Sequence, residues 1–411
     1  MYCRPVLIFL LLVVNFVFAK NVLLIISDDM NIKWMGNTTV TPNLDRISKE
    51  NGVTTFRKAY SNTCMCNPSR TSFLTGTYPS QNGIHKNSDL LHNLTFLMDD
   101  LKHYGIKTGG IGKVLHNTMN DIYKKRVWDI YVDFTNNSIR NNLCHTSFKK
   151  FKCGMFPDNV EQTLENPMMF QSAVEIISAF KNGNKNWFVG LGYKKPHIPL
   201  YSPQKYWVQT QSIFDNFAWV NVSEEIYGMS ASALDVFKLN DSLFQQIRKI
   251  NKLFVHAYAS ATAYTDKYIG KMWDYMKNNQ LLNDTMVIII SDHGWHLGEK
   301  DHISKYTLYM EGLRIPFMIY VPNSTNSINN TPVSLIDLYD TIMEWMDIPK
   351  NHPNSLLKYL NSVEENRNLY MECYLDVKTT STYNNTYSAI NYLNRTDIYN
   401  IKNDPLQRTI I

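Results

Sequence analysis

The feature that most restricts the fold is a set of short, almost wholly apolar runs, each of them followed closely by polar residues. Asn21-Val-Leu-Leu-Ile-Ile-Ser27, Asn186-Trp-Phe-Val-Gly-Leu-Gly192, Met286-Val-Ile-Ile-Ile290 and Phe317-Met-Ile-Tyr-Val321 are the clearest. A strand apolar on both of its alternating faces is covered on both, as in a parallel sheet with helices on either side. Segments of helical spacing lie between the runs: Leu94 to Tyr104, stopped by Gly105, then Ser172 to Phe180 and Ser242 to Lys277. The pattern predicts an α/β fold, with a large central mixed, mostly parallel sheet flanked by helices. Pro322 to Pro332, rich in Asn, Ser and Thr, reads as a surface loop, and Val333 to Met346 as a helix closed off by Pro349. From about Asn351 the chain is polar and rich in Tyr and Asn, which suits a few antiparallel strands. The expected division is a leader over 1–19, a main domain over 20–350 and a short C-terminal subdomain over 351–411.

Residues 1–19 begin with Arg4, run apolar from Val6 to Val14 and end Val17-Phe18-Ala19, the layout of a signal peptide removed before Lys20. A retained signal anchor is the alternative, although the apolar run is shorter than the roughly 20 residues a membrane span needs. No other segment is long and apolar enough to cross a bilayer, so the expectation is the secretory pathway, lysosomal or extracellular, without stable membrane insertion. Cleavage would remove one cation, Arg4, from a formal charge of +5. The remaining basic residues are spread along the chain, which suits an anionic substrate but gives no nucleic-acid-binding patch.

Without Cys3, the cysteines are Cys64, Cys66, Cys144, Cys153 and Cys373, an odd set that assigns one sulfur a different fate. Cys144 and Cys153, close together in a polar segment, are expected to pair in an oxidising compartment. Cys64 has three fates open: a buried thiol, a partner of Cys373, or a distractor beside Cys66. Sequons at Asn37, Asn93, Asn136, Asn221, Asn240, Asn283, Asn323, Asn329, Asn384 and Asn394 agree as an ensemble with a secreted glycoprotein.

In open α/β sheets, ligands gather beyond the carboxyl ends of the strands. Three polar clusters occupy such places: Ser27-Asp28-Asp29, Tyr193-Lys-Lys-Pro-His197 and Ser291-Asp-His-Gly294. Adjacent parallel strands would bring Asp28, Asp29, Asp292 and His293 around one point. A lone Asp there would as readily be a cap or a solvated strand end. Four such residues in matching context make a metal site, and its oxygen-rich ligation favours calcium or magnesium over structural zinc.

The decisive segment is Cys66-Asn-Pro-Ser-Arg-Thr-Ser-Phe-Leu-Thr-Gly76. It resembles the signature of the sulfatase family, in which the Cys of a Cys-x-Pro-Ser-Arg core is converted by a formylglycine-generating enzyme to formylglycine. Gly112-Lys-Val-Leu-His116, Gly192-Tyr-Lys-Lys-Pro-His-Ile-Pro199, Ser291-Asp-His-Gly-Trp-His-Leu-Gly-Glu299, Lys305 and Asp404-Pro-Leu-Gln407 follow in the order of the iduronate-2-sulfatase group. The resemblance spans roughly residues 21–350. It implies a sulfatase catalytic domain, with Cys66 joining Asp28, Asp29, Asp292 and His293 at the metal. Arg70 and Lys113 would hold the aldehyde hydrate and the sulfate, and His116 would take the proton that lets sulfate leave. His197 and Lys305 would bind the sulfate and assist the departing alcohol oxygen. Read singly, each Lys is an ordinary surface lysine and each His a hydrogen-bonded structural one. The implied substrate is a sulfated carbohydrate, with 2-sulfated uronic acid residues of heparan or dermatan sulfate foremost.

Formylglycine suits sulfate-ester hydrolysis because its hydrate carries two hydroxyls on one carbon. One attacks sulfur, and the other later expels sulfate as the carbonyl reforms. Trp295 and His296 are expected to line the substrate pocket, with core packing as the alternative for a Trp near a strand end. The sequence departs from the family pattern at Thr77, where Arg is usual after Gly76 and bears on formylglycine formation, and at Lys194, where His is common and an extra cation would tighten an acidic sugar or change which one is preferred. The C-terminal subdomain is expected to be small and abbreviated. Two other readings are a catalytically silent glycoprotein that binds sulfated glycans, and a related phosphatase or phosphodiesterase with two zinc ions.

Overall fold

The computed structural model describes residues 20–91, 93–116, 121–134, 153–183, 185–216, 251–361, 363–375, 377–392 and 394–411. Residues 1–19, Cys144, the sequons at Asn136, Asn221 and Asn240, and the start of the Ser242–Lys277 segment lie outside them, so the Cys144–Cys153 pairing falls there too.

Eight strands form the central sheet: β1 (Asn21–Asp28), β2 (Val53–Phe56), β3 (Lys107–Gly112), β4 (Ile130–Val132), β5 (Trp187–Pro196), β6 (Thr285–Ser291), β7 (Phe317–Tyr320) and β8 (Ser327–Asn329). Their order is β8-β2-β7-β6-β1-β5-β3-β4, and β7 alone runs against its neighbours. Five helices matter for the site: α1 (Cys66–Thr75), α2 (Leu97–His103), α3 (Glu165–Asn182), α4 (Asn251–Asn278) and α5 (Asp337–Trp345).

The apolar runs explain this arrangement. Along β1, Val22, Leu24 and Ile26 join one core cluster while Leu23 and Ile25 join another. Successive side chains of a strand point to opposite faces, so β1 must be covered twice. Phe73 of α1, Leu101 of α2 and Leu338 and Ile342 of α5 cover the first face. Ile176 and Phe180 of α3, with Tyr268, Met272 and Met276 of α4, cover the second. Their spacing of three or four residues gives each helix one apolar stripe. Full burial of a side chain of this size stabilises by about 1.5–3 kcal/mol, more than any helix propensity in these segments.

Helix α1 shows that balance best. Its Ser, Thr and Asn content is poor for a helix interior, yet every residue from Cys66 to Leu74 is buried. Pro68 sits in the first turn, where its missing N–H costs nothing, and Gly76 at φ 67° ends the helix in the left-handed conformation.

Four further strands, β9 (Leu369–Tyr374), β10 (Lys378–Tyr383), β11 (Tyr387–Asn391) and β12 (Thr396–Asn400), make an antiparallel meander. This small sheet shares a core with Tyr60, Leu308, Tyr309 and Leu313 of the larger unit. A Cys64–Cys373 disulfide joins the two, which settles the open fate of Cys64. Beside it, the Glu372 amide donates to the Asn62 carbonyl at 3.0 Å.

Two readings of the 322–346 region need correction. Ser327–Asn329 is a sheet strand inside the expected loop, pairing with β2, and Val333–Ser334 pairs with Ala59–Tyr60 before α5 begins at Asp337. Asn and Ser are poor strand formers, but register with a formed edge overrides that preference. Asn329 is accordingly fully buried and its side-chain amide donates to the Tyr359 and Val363 carbonyls, so this sequon offers no accessible acceptor. Among the described residues, no helix is long and apolar enough to cross a membrane.

Candidate active site

The site begins where β1 and β6 end together. The two strands pair in parallel with Ser27 opposite Ser291, so Asp28-Asp29 and Asp292-His293 leave the sheet side by side. Asp29 adopts φ 65°, a conformation uncommon outside glycine. One oxygen of Asp292 holds it there, accepting from the Asp29 amide at 3.0 Å and from the His293 amide at 3.1 Å. From α4, the Tyr258 hydroxyl donates to the Asp29 carbonyl and accepts from the Asn31 amide at 2.7 Å.

The N-terminus of α1 brings Cys66 over this platform. Its Sγ lies 2.8 Å from Lys305 Nζ, 3.2 Å from His293 Nε2, 3.6 Å from Asp28 Oδ1 and 3.9 Å from Asp29 Oδ1. Arg70, one turn on, donates Nε to Asp292 at 2.9 Å and Nη2 to Asp28 at 3.2 Å. Its Nη1 donates to the carbonyls of Lys113 and Val114. Lys113 Nζ meets Asp28 Oδ2 at 2.5 Å, and Lys305 Nζ meets Asp29 Oδ1 at 2.8 Å.

His197 differs from these groups in exposure. Its Nε2 is 3.8 Å from Asp29 Oδ2 and its side chain is 31% exposed, whereas Arg70, Asp29, Asp292 and His293 are fully buried. It therefore marks the open side of the site. His116 is half-buried, and its Nδ1 makes no hydrogen bond.

Three buried carboxylates thus face three basic side chains. Burial alone would raise the Asp28 carboxyl, but Lys113, His197, Arg70 and Lys305 together hold it well below the usual range. Asp29 is lowered in the same way against its own burial, chiefly by Lys305 and His197. The converse holds for Lys113 and Lys305: burial disfavours their charge, yet Asp28 and Asp29 respectively lift both above the ordinary lysine value. Burial pushes the Cys66 thiol up, so the unmodified sulfur is a poor nucleophile. Burial, then Lys113, lowers His116 to about 3, which leaves its imidazole neutral at ordinary pH.

The donor set fits a hard divalent cation. Oxygens of Asp28, Asp29 and Asp292 lie within 4.8 Å of one another, and Asp29 Oδ2 is buried without a hydrogen-bond partner. Nδ1 of His293 faces the Gly294 carbonyl at 3.0 Å, so the ring presents Nε2 towards Asp29 and Cys66. An orphaned buried carboxylate oxygen is costly unless a cation or donor meets it, and oxygen-rich sites of this kind suit calcium or magnesium.

The geometry thus brings together Asp28, Asp29, Cys66, Arg70, Lys113, His197, Asp292, His293 and Lys305, with His116 beside Lys113. It corrects other expectations. Lys194 Nζ donates to the Phe134 carbonyl at 2.9 Å and pairs with Glu165 at 3.2 Å, so it is not a free cation for a sugar. Trp295 and His296 are buried rather than lining the pocket. The Trp295 ring stacks on Tyr258 and lies 5.8 Å beneath Lys305 Nζ, while His296 is bonded to Thr307 and the Glu299 carbonyl. Thr77 closes α1, with its amide on the Ser72 carbonyl and its hydroxyl 2.6 Å from that of Thr75. Sequence reasoning missed Tyr258, which lies in an ordinary helical stripe, and it quoted Gly192 without seeing that its backbone packs directly on Lys113, which a glycine inside an apolar strand signals.

Comparison with known proteins bears on the fold and the family. An iduronate 2-sulfatase of Mus musculus is 25% identical over 389 residues, covering 84% of this chain and 67% of its own. A structure solved with its substrate, D-glucosamine-2-N, 6-O-disulfate, matches at a TM-score of 0.76 and 18% identity over 96% of this chain and 93% of that one. A phosphonate monoester hydrolase from Silicibacter pomeroyi shares the fold at a TM-score of 0.73 and 17% identity, over 94% of this chain and 92% of its own. The family model for sulfatases matches residues 20–348, which is most of the length, and the chain is on that ground a member of the sulfatase family.

Proposed function

We propose that the chain hydrolyses sulfate esters of glycans through a formylglycine made from Cys66, with 2-sulfated uronic acid residues of heparan or dermatan sulfate as its substrate class. The observation that carries this reading is the meeting of Cys66 with Lys305, His293 and the Asp28–Asp29 pair in one buried cluster. Kinship with iduronate 2-sulfatase supports the choice of sugar, and the fold shared with a protein solved with a disulfated glucosamine supports a sulfated carbohydrate in general.

Asp28, Asp29, Asp292, His293 and residue 66 would hold the cation, calcium or magnesium, which when bound acidifies a coordinated hydroxyl and neutralises sulfate charge. Formylglycine hydrate supplies the two hydroxyls that attack sulfur and later expel sulfate. The chain's own groups complete the chemistry. Arg70 and Lys113 are fixed by Asp28 and Asp292, so their charge is aimed before substrate arrives. Lys305 and His197 approach Asp29 together, and either is placed to give a proton to the departing alcohol oxygen. His116, neutral at ordinary pH, can accept the proton that releases sulfate. The leader-like segment over 1–19 supports maturation in the secretory pathway, where the formylglycine-generating enzyme would act, and delivery to lysosomes or outside the cell.

A two-zinc phosphatase reading finds no second ligand set among the described residues. Among the described residues, every group able to hold a metal is built from Asp28, Asp29, Cys66, His197, Asp292 and His293, so no separate second cluster exists. The test is fragment mass spectrometry of the residue-66 peptide from cells containing the modifying enzyme, with turnover of matched sulfate, phosphate and phosphonate esters. Formylglycine with a sulfate preference is expected. An unmodified thiol without turnover favours a silent glycan-binding protein, and a phosphate or phosphonate preference overturns the reaction assignment.

A further inference from the structure

We propose that Gln407 is a positioning residue for Lys305, gripping from both ends the loop that carries it. The inference rests on the reading of Lys305 as proton donor to the leaving group, and it extends that reading to the far end of the chain.

Lys305 follows the two-residue strand Ile303–Ser304, which pairs with His296–Leu297, in the otherwise mostly irregular loop between Gly298 and Met310, and its amine reaches Cys66 and Asp29 at 2.8 Å each. Five residues before it, the buried Lys300 donates its amine to the Gln407 backbone carbonyl. Five residues after it, the Met310 amide donates to the Gln407 side-chain oxygen at 2.9 Å. The Gln407 side-chain nitrogen in turn donates to Ser388 Oγ at 2.7 Å and Tyr383 Oη at 3.2 Å, on two strands of the C-terminal sheet. Tyr383 also donates to the Leu308 carbonyl at 2.6 Å. Gln407 is itself fully buried, although it lies in an irregular segment after the last strand.

A tail residue that only filled space could be apolar. This one satisfies a loop amide, a loop ammonium and two sheet hydroxyls at once, which fixes the loop relative to the sheet. Reactions helped by proton donation need heavy-atom distances held within hydrogen-bond reach, so a shift of about 1 Å in the loop is enough to disable the donor. Gln407 touches neither Cys66 nor Lys305 in the contacts described above, so its effect is transmitted through the loop backbone.

The test exploits leaving groups. Nitrophenolate departs without a proton, whereas a sugar alkoxide needs one. In Gln407→Ala, kcat on a sugar sulfate is expected to fall at least about tenfold while kcat on 4-nitrophenyl sulfate falls less than about threefold. Gln407→Glu, which keeps an acceptor for Met310 and can accept from Ser388 Oγ but leaves Tyr383 Oη without its donor, should recover part of the loss. Tyr383→Phe removes single hydrogen bonds without emptying the site and should show the same bias if Gln407→Ala does not fold. Equal losses on both esters, in whichever of the two variants folds, overturn the proposal. Lys305→Ala runs in parallel: should it lose both esters equally, the proton-donor reading fails instead.

Discussion

Gly192 on β5 packs backbone to backbone against Lys113, and a Cβ at residue 192 would overlap the Lys113 carbonyl group. That carbonyl also accepts from Arg70, so the contact sets two of the site's cations together. Gly192→Ala is therefore expected to push the Lys113 turn away from Asp28. Stability should fall by about 1–3 kcal/mol, and turnover should fall further than that loss accounts for. Thermal denaturation alongside kinetics checks it; unchanged kcat/KM would show that the close approach does not position Lys113.

Removing the cation should uncover the cost of the unpaired Asp29 oxygen. Chelation is expected to abolish turnover and lower Tm, and calcium or magnesium should restore both. At a hundredfold excess over Kd, the bound ion would stabilise by about 2.7 kcal/mol. Asp29→Asn should blunt that Tm response; a variant that still responds fully to the ion places the ligand elsewhere.

Cys66→Ala should keep the fold and lose at least about a thousandfold in turnover. The side chain is small and the rest of α1 stays buried, so circular dichroism should be unchanged. Retained activity would remove residue 66 from the nucleophile position.

Lys194→Ala is expected to leave KM for sulfated substrates within about twofold, since its amine belongs to Glu165 and the Phe134 carbonyl. Exposed or half-exposed ion pairs contribute about 0–1 kcal/mol, so Tm should move little as well. A large rise in KM would return Lys194 to the substrate pocket.

Asp266 gives a pH signature away from the site. Its carboxylate on α4 accepts from the Asn43 and Leu44 amides at 2.9 and 2.8 Å. Burial nevertheless pushes its pKa up to about 6 from an ordinary 3.8. A folded value above the unfolded one contributes stability that is complete below pH 3.8 and is lost as pH rises through about 6. The Tm difference between wild type and Asp266→Asn should thus move against wild type between pH 4 and pH 7, by an equivalent of about 1–3 kcal/mol. A flat difference would show an unshifted carboxyl.

Much of the frame was legible because β1, β5 and β6 are apolar on both faces, and only a doubly covered sheet accepts such runs. The acidic platform followed from register, as strands that pair in parallel deliver their terminal polar residues together. Edge pairing was harder to read: Ser327–Asn329 has no apolar signal, and its strand state comes from the neighbour it joins. Lys194 and Trp295 were misplaced for a related reason. The motif showed that they lie near the site, but only packing shows that Lys194 turns to Glu165 and Trp295 lies under Lys305. Gln407 stood out only as part of a family motif, since no local pattern reveals contacts with a loop about a hundred residues earlier.

The Cys64–Cys373 bond has a temporal side. Its partners are 309 residues apart, so ribosomal order delivers the second thiol long after the first. The stretch containing residue 66 therefore emerges untethered, and the latch that encloses it can close only after the 309 residues that follow Cys64 have been made.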